Sequence, residues 1–410
     1  MQRAWVLVVL TLIILAFALA TGHPMFWRTF YVFGLLLVVS GLWVWSLSRG
    51  VDVDVRRPPL RTRAGGVIRE RVTIRRRNRF LRGFIEVREQ TDMPVKAPGA
   101  VLGMGDAENF SVDLDIPCPR RGVYRLGPAL ASASDPFGLF VVNRSIGDSQ
   151  RLIVHPATID LPGFILLPAD LPGEGPRHVR SQHVTTSAYG VRDYVFGDSL
   201  NRISWKSSAH HDRLMVKEFE VEPANNIWVL ADMERKAHHG SGDDSTEETV
   251  VTLAASICQR YLDANYPVGF MSYGSERYAV AAQRGSGQLL RVLDALSELR
   301  AQGNTPLLEL IAALHVKAGR YTSVAIITPS PKTEWLDGVR HLLERKSRIT
   351  IVVVDAEQGK EEHPRSALEA AALGVPTYAV KRGTATKLSL TALTAHAYAA
   401  GFEPVGVRGR

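Results

Sequence analysis

Along its first fifty positions the chain shows no alternation of polar and apolar residues. Residues 4–20 and 29–48 contain no charged side chain. A helix rises about 1.5 Å per residue, so roughly 20 apolar residues cross a hydrocarbon core and about 17 is the lower limit. The two runs therefore predict a hairpin of two transmembrane helices over residues 1–50. Aromatic side chains stand where interfacial anchors belong: Trp5 at one end, Phe26, Trp27, Phe30 and Tyr31 near the turn, Trp43 and Trp45 at the exit. Arg3, the apolar run and Ala18-Leu19-Ala20 also fit a cleavable leader, while the second run that follows at once favours the hairpin. With or without cleavage the second run stops transfer. Arg49, Arg56, Arg57, Arg61 and Arg63 follow it, against Arg28 alone in the turn, which predicts a cytoplasmic body with only residues near 21–28 outside.

From Val51 the period becomes two. Val51, Val53 and Val55 alternate with Asp52, Asp54 and Arg56, and Ile68, Val72 and Ile74 bracket Arg69, Arg71 and Arg75. Phe84-Ile85-Glu86-Val87-Arg88 continues the pattern. Gly122–Leu126 and 139–142 are strand-like, and Asp135-Pro136 marks a turn before the second of them. Several short strands over residues 51–160 predict a small β-sandwich. From Asn226 apolar strands alternate with amphipathic helices. Ile227–Ala231 precedes a helix near 246–264 that opens with the capping-box pattern Ser245-x-x-Glu248. Strands near 267–272 and 276–281, helices at 287–301 and after Thr305-Pro306, strand Ser323–Thr328, a helix at 334–346, strand 349–355, a helix near 366–373 and strand 377–380 follow. This order predicts a doubly wound α/β domain over 226–410, with residues 161–225 as a connecting segment.

Composition narrows the chemistry. The 410 residues suit two or three domains, and the 46% apolar and 22% charged content excludes a disordered chain. Cys118 and Cys258 are the only cysteines, so disulfide scaffolds and cysteine-based metal sites are excluded. The net charge of +8 is concentrated: residues 49–82 hold twelve arginines and three acids. Beside a span, that segment suits anionic lipid headgroups, each basic residue contributing roughly 1 kcal/mol. The alternative is a solvated edge strand that uses charge against aggregation. No aromatic interleaves the arginines of 56–79, which argues against nucleic acid. No GxGxxG follows the first α/β strand and no GxxxxGK[ST] occurs, so no nucleotide cofactor is expected. Ser207 and Ser208 lie outside any G-x-S-x-G elbow, and His210 and His211 are adjacent, not spaced as ligands on one helical face. The sequence reads as a non-enzyme with no catalytic residue.

Before the α/β domain stand Tyr189-Gly190-Val191-Arg192-Asp193-Tyr194-Val195-Phe196-Gly197-Asp198 and Arg202-Ile203-Ser204-Trp205-Lys206-Ser207-Ser208-Ala209. Arg120-Arg121-Gly122-Val123-Tyr124, Asp135-Pro136-Phe137-Gly138-Leu139-Phe140 and Val154-His155-Pro156 accompany them upstream. Together these resemble the bacterial domain-of-unknown-function 58 family, with His210 where that pattern carries arginine. The resemblance implies a C-terminal domain similar to a von Willebrand factor A domain. Such domains hold Mg²⁺ through D-x-S-x-S after the first strand, a threonine in a second loop and an aspartate in a third. Here Asp232-Met233-Glu234-Arg235-Lys236 keeps the aspartate and loses both serines, Thr305 matches the second loop, and Pro329 takes the third position. Loss of most hard oxygen ligands predicts no Mg²⁺ site, leaving Asp232, Glu234, Lys236 and Thr305 as a degenerate one. On that expectation Thr305 is an N-cap and Asp232 pairs with Lys236.

Arg192, Asp193, Tyr194, Gly197, Asp198, Arg202, Trp205 and Lys206 form either a partner-binding surface, since Arg, Tyr and Trp are typical anchors, or an interdomain staple. The resemblance further implies a membrane-anchored scaffold or adaptor. Its implied partners are a MoxR-type AAA+ ATPase and a transglutaminase-like membrane protein, and its implied role is assembly or remodelling of envelope-associated complexes. An envelope-related hydrolase and a metal-dependent ligand-binding module are the alternatives from other classes.

Overall fold

The computed structural model describes residues 2–49, 51–57, 60–76, 84–103, 109–166, 179–180, 188–195, 200, 203–221, 226–318, 322–355, 364–382 and 391–392. It divides into two compact units, Met1–Ala157 and Thr158–Arg410.

The first unit begins with α1 (Gln2–Thr21) and α2 (Pro24–Arg49), joined at Gly22-His23. Gly22 has φ +68°, a left-handed value that glycine adopts without strain. Both helices are long and apolar enough to cross a membrane. Phe17 and Phe26 stack across the turn at 5.9 Å, and the Arg49 guanidinium lies 4.7 Å from the Trp45 ring centroid.

Among the described residues ten strands follow: β1 (Val51–Arg56), β2 (Arg61–Arg63), β3 (Gly66–Arg76), β4 (Phe84–Arg88), β5 (Gly99–Gly103), β6 (Asn109–Cys118), β7 (Gly122–Leu126), β8 (Ala129–Ser134), β9 (Val141–Ile146) and β10 (Gln150–His155). They form sheets of order β1-β3-β6, β5-β4-β8-β9 and β2-β10-β7. Alternate residues point inward, as period two requires. Val72 and Ile74 of β3 pack with Ile85 and Val87 of β4 and with the alanines of β8, and Leu47 of α2 is buried in the same cluster. Ile68, four residues before Val72 on β3, joins Ile116, Leu126, Leu152 and Val154 in a second cluster. The long β3 thus serves two sheets.

The arginine-rich strand is not an edge. β3 lies between β1 and β6, so the alternative reading of a charged edge strand is corrected. Its outward arginines face acids: Arg71 donates to both Asp113 oxygens at 2.7 and 2.9 Å, and Arg69 to Asp115 at 3.2 Å. Asp113 is held below the usual carboxylate range by the Arg71 hydrogen bond. Across that outer face Asp52, Asp54, Asp113 and Asp115 balance Arg56, Arg69, Arg71 and Arg75.

The second unit contains a three-stranded sheet, β11 (Val179–Arg180), β12 (Ala188–Asp193) and β13 (Met215–Val221) in the order β11-β13-β12, with α3 (Trp205–His211) between β12 and β13. The larger sheet is built from β14 (Ile227–Ala231), β15 (Val268–Tyr273), β16 (Arg277–Gln283), β17 (Ser323–Thr328), β18 (Arg348–Asp355), β19 (Thr377–Lys381) and β20 (Thr391–Ala392). Its order is β16-β15-β14-β17-β18-β19-β20, parallel except at the two outermost pairs. Every residue of β14 and β17 is buried, because helices cover both faces. Ile227, Val229 and Ala231 pack on α4 (Thr246–Asp263) and α5 (Ser286–Glu298). Trp228 and Leu230 pack on α6 (Leu307–Lys317), α7 (Leu336–Glu344) and α8 (Arg365–Ala372).

Residues 159–166, divided in the sequence analysis between the sandwich and the connecting segment, pack on the α/β domain instead. Leu161, Phe164 and Leu166 are buried in the α4–α5 cluster. No periodicity marks this strap, because its backbone is held by side chains from elsewhere: Ser256 Oγ accepts from Ile159 N at 3.0 Å and Tyr261 Oη from Leu166 N at 2.8 Å.

Candidate functional site

In an open α/β sheet, ligands bind outside the carboxyl ends of the strands where the winding reverses. Here that point lies between β14 and β17, and the residues at their ends are Asp232 and Thr328. Asp232 is 1% exposed. Its Oδ2 accepts from the Thr328 hydroxyl at 2.6 Å and its Oδ1 from the Glu234 backbone N–H at 3.0 Å. The Thr328 oxygen in turn accepts from Ser330 N at 3.0 Å. His238 Nε2 lies 2.8 Å from the Asp232 carbonyl, which requires a proton on that nitrogen, and His238 Nδ1 lies 3.1 Å from Thr246 Oγ1. Burial pushes the Asp232 carboxyl up to about 6, against the pull of Thr328.

Two expectations are corrected. Asp232 is held by Thr328 and not by Lys236, whose side chain is exposed, because a buried carboxylate needs fixed short donors and a flexible ammonium stays in water. Thr305 is no N-cap: the helix starts at Leu307, with Pro306 at the cap position and no side-chain cap bond. Thr305 instead follows Gly303, which is stitched to the first loop by Arg235 N to Gly303 O at 2.8 Å and Gly303 N to Met233 O at 3.2 Å. A Cβ on Gly303 would meet the Tyr273 carbonyl at 2.4 Å, so only glycine allows the loops after β14 and β15 to close on it.

The buried carboxylate at this edge is held through both of its oxygens. Among the described residues no three His, Cys, Asp or Glu side chains gather as metal ligands. Replacing Thr328 with valine keeps the shape and removes the donor to a buried carboxylate. The expected loss is about 1–3 kcal/mol in urea unfolding, with Asp232 moved further above its ordinary value. A raised carboxylate stabilises the fold below its unfolded value and is lost as pH rises through about 6. The Thr328→Val deficit should therefore be larger at pH 7 than at pH 4, and equal deficits would contradict the assignment.

Of the motif residues, Arg192 and Asp193 lie on β12, Tyr194 directly follows it, and Trp205 and Lys206 open α3. Tyr194 N donates to Leu214 O at 2.8 Å and Ser204 N to Met215 O at 2.8 Å, which draws the start of α3 against β13. Ile203, Met215 and Val216 are buried beneath it. Arg192 and Tyr194 are half-buried, and Asp193 pairs with Arg213 at 3.0 Å on an exposed face. Trp205 is 69% exposed and Lys206 is exposed beside it. Gly197, Asp198 and Arg202 lie outside the described residues. Ser208 Oγ accepts from Met215 N at 2.8 Å and Ser204 Oγ is 2.9 Å from Ser207 Oγ, so these hydroxyls tie the turn together. His238, Thr246 and Gly303 carry no sequence signal as members of this network, since their spacing along the chain follows no local period.

Residues 190–365 match the family model described as Protein of unknown function DUF58, a stretch running from β12 to the start of α8. The chain is 23% identical over 316 residues to the uncharacterized protein YeaD of Bacillus subtilis (strain 168), covering 74% of this chain and 77% of the relative. Among solved structures it is similar to the CARDB domain of the PF1109 protein from Pyrococcus furiosus, solved in complex with di-metal ions. That match has 12% identity and a TM-score of 0.20, and covers 25% of this chain and 91% of that chain. A β-glucosidase from Listeria innocua in complex with glucose matches at 13% identity and TM-score 0.17, over 24% of this chain and 16% of that chain. The motif resemblance is thus matched from residue 190 onward.

Proposed function

We propose that the protein is a membrane-anchored adaptor. In this reading α1 and α2 cross the membrane, the body is cytoplasmic, and a von Willebrand factor A-like domain without its metal presents the β12–α3 surface to a protein partner. Exposed Trp205 is the observation that carries the proposal. A large indole held on a short helix, beside Lys206 and above a buried base, is a typical interface anchor. The Asp232 carboxylate, held through both of its oxygens, supports it, because it leaves a small ligand little to bind. Family resemblance names a MoxR-type AAA+ ATPase as the partner, with a transglutaminase-like membrane protein as a further candidate.

The test is capture of the ATPase by the full chain in mild detergent. Trp205→Ala should cost about 2 kcal/mol, weakening association roughly thirtyfold, with unchanged melting because the indole is already in water. Undiminished capture would reject the surface. For topology, alkaline phosphatase fused after Arg410 should be inactive and a fluorescent protein there should glow; an active phosphatase would reject the cytoplasmic body.

A further inference from the structure

The sandwich is open along one side. β1 and β9 are edge strands of facing sheets, and the last turn of α2 lies at the opening. On β8 the inward positions are Ala129, Ala131 and Ala133, small side chains that leave the interior unfilled. Leu47 of α2 takes part of this space and is fully buried. A groove of about 190 Å³ remains, walled by Leu47, Val51, Val53 and the alanines at 131 and 133.

The facing edge strand is unusual in its phase. Val142, Arg144 and Ile146 are the register partners of Ala133, Ala131 and Ala129, so they share the face that looks into the sandwich. Arg144 therefore lines a groove of mixed character, apolar along Leu47, Val51, Val53 and the β8 alanines and polar at Ser48, Asp52 and Ser145. Among the described residues Arg144 makes no hydrogen bond or ion pair. Asp52 borders the groove, but it alternates with Val51 and Val53 and stands opposite Arg75 on the outer face. Apolar walls ending in one unpaired cation match an amphiphile with an anionic head.

The position of the groove supplies the occupant. If α2 is a span, as proposed above, its last turn lies at the headgroup boundary, where Trp45 and Arg49 stack as an interfacial pair. The groove then opens where acyl chains and phosphates are both at hand. We propose that it holds one anionic phospholipid of the surrounding leaflet, an acyl chain lying against Leu47, Val51, Val53 and the β8 alanines and the headgroup phosphate on Arg144. The arginines of β3 are poorer candidates for that phosphate, since Arg69 and Arg71 already hold carboxylates.

The full chain, reconstituted in nanodiscs of phosphatidylcholine with and without phosphatidylglycerol and released for native mass spectrometry, tests this directly. One phosphatidylglycerol should be retained, at least tenfold in preference to phosphatidylcholine. Arg144→Glu, at an exposed position, should abolish that preference with normal melting, and Ala131→Phe should fill the groove and remove retention altogether. Equal retention of both lipids, no retention, or an unaltered preference in Arg144→Glu would overturn the proposal. Alkaline carbonate extraction of the same proteins separates this from the membrane reading. Release of the wild-type chain would overturn both, whereas a chain that stays in the membrane yet retains no lipid overturns the groove alone.

Discussion

Replacing Arg57 with alanine is expected to destabilise the β-rich region by about 3–5 kcal/mol, the cost of leaving a buried charge without its partner. The Arg57 side chain is 5% exposed and both of its partners, Glu70 and Glu89, are fully buried. Nε donates to Glu70 at 2.8 Å, Nη2 to Glu89 at 3.1 Å and Nη1 to the Asp148 carbonyl at 2.7 Å. Gly127, at φ +94°, lets the backbone pass this group, since a Cβ there would stand 2.6 Å from Nη2. One guanidinium faces two carboxylates, so the charges balance when one acid keeps its proton. Burial, then the neighbouring Glu70, push Glu89 up to about 8 in spite of Arg57.

The sign of the pH dependence follows. Between an ordinary glutamic acid value near 4.5 and about 8, the folded chain holds a proton that the unfolded chain releases. This contribution to stability is complete at the acid end of that window and is lost as pH rises through it. Urea unfolding of the full chain in detergent at pH 5 and pH 8 should show the decline in the wild type and a flatter dependence in Glu89→Gln; parallel slopes would contradict the shared proton. Replacing all three residues with Met, Leu and Leu removes charges and desolvation together, and should come out near neutral or more stable. Such recovery would separate the broken charge balance from mere loss of volume.

Phe164→Ala is expected to cost the second unit about 3–5 kcal/mol. The ring is 1% exposed, 5.4 Å from the Tyr378 ring and 6.5 Å from that of Tyr261. Both tyrosines also bind the strap's backbone. Tyr378 Oη accepts from Ile165 N at 3.1 Å and donates to Gly163 O at 3.1 Å, while Tyr261 accepts from Leu166 N at 2.8 Å. Losing the ring opens a cavity and frees the residues that these phenols hold. Melting should fall and proteolysis near residues 159–166 should speed up; a loss under about 0.5 kcal/mol, the scale of a surface change, would show that the strap is peripheral.

Periodicity alone determined the order of elements. Unbroken apolar runs mark α1, α2, β14 and β17, the two strands because helices cover both of their faces, and alternation marks β1, β3 and β4, which have one polar face. Even the buried triad carried a faint local sign. Arg57 continues the inward phase of Val51, Val53 and Val55, Glu70 stands between Ile68 and Val72, and Glu89 follows Ile85 and Val87. What periodicity could not decide is which inward charges meet. Glu70 and Glu89 lie 13 and 32 positions from Arg57, Thr328 lies 96 from Asp232, and Tyr378 lies 213 from Ile165. A strand's period reports the face a residue occupies, whereas its partner depends on which strands and loops are brought alongside. Asp232 therefore looked like the partner of nearby Lys236 until sheet order set Thr328 next to it. For the same reason nothing local in the sequence singles out Arg144, which the register with β8 sets on the same face as Ala131.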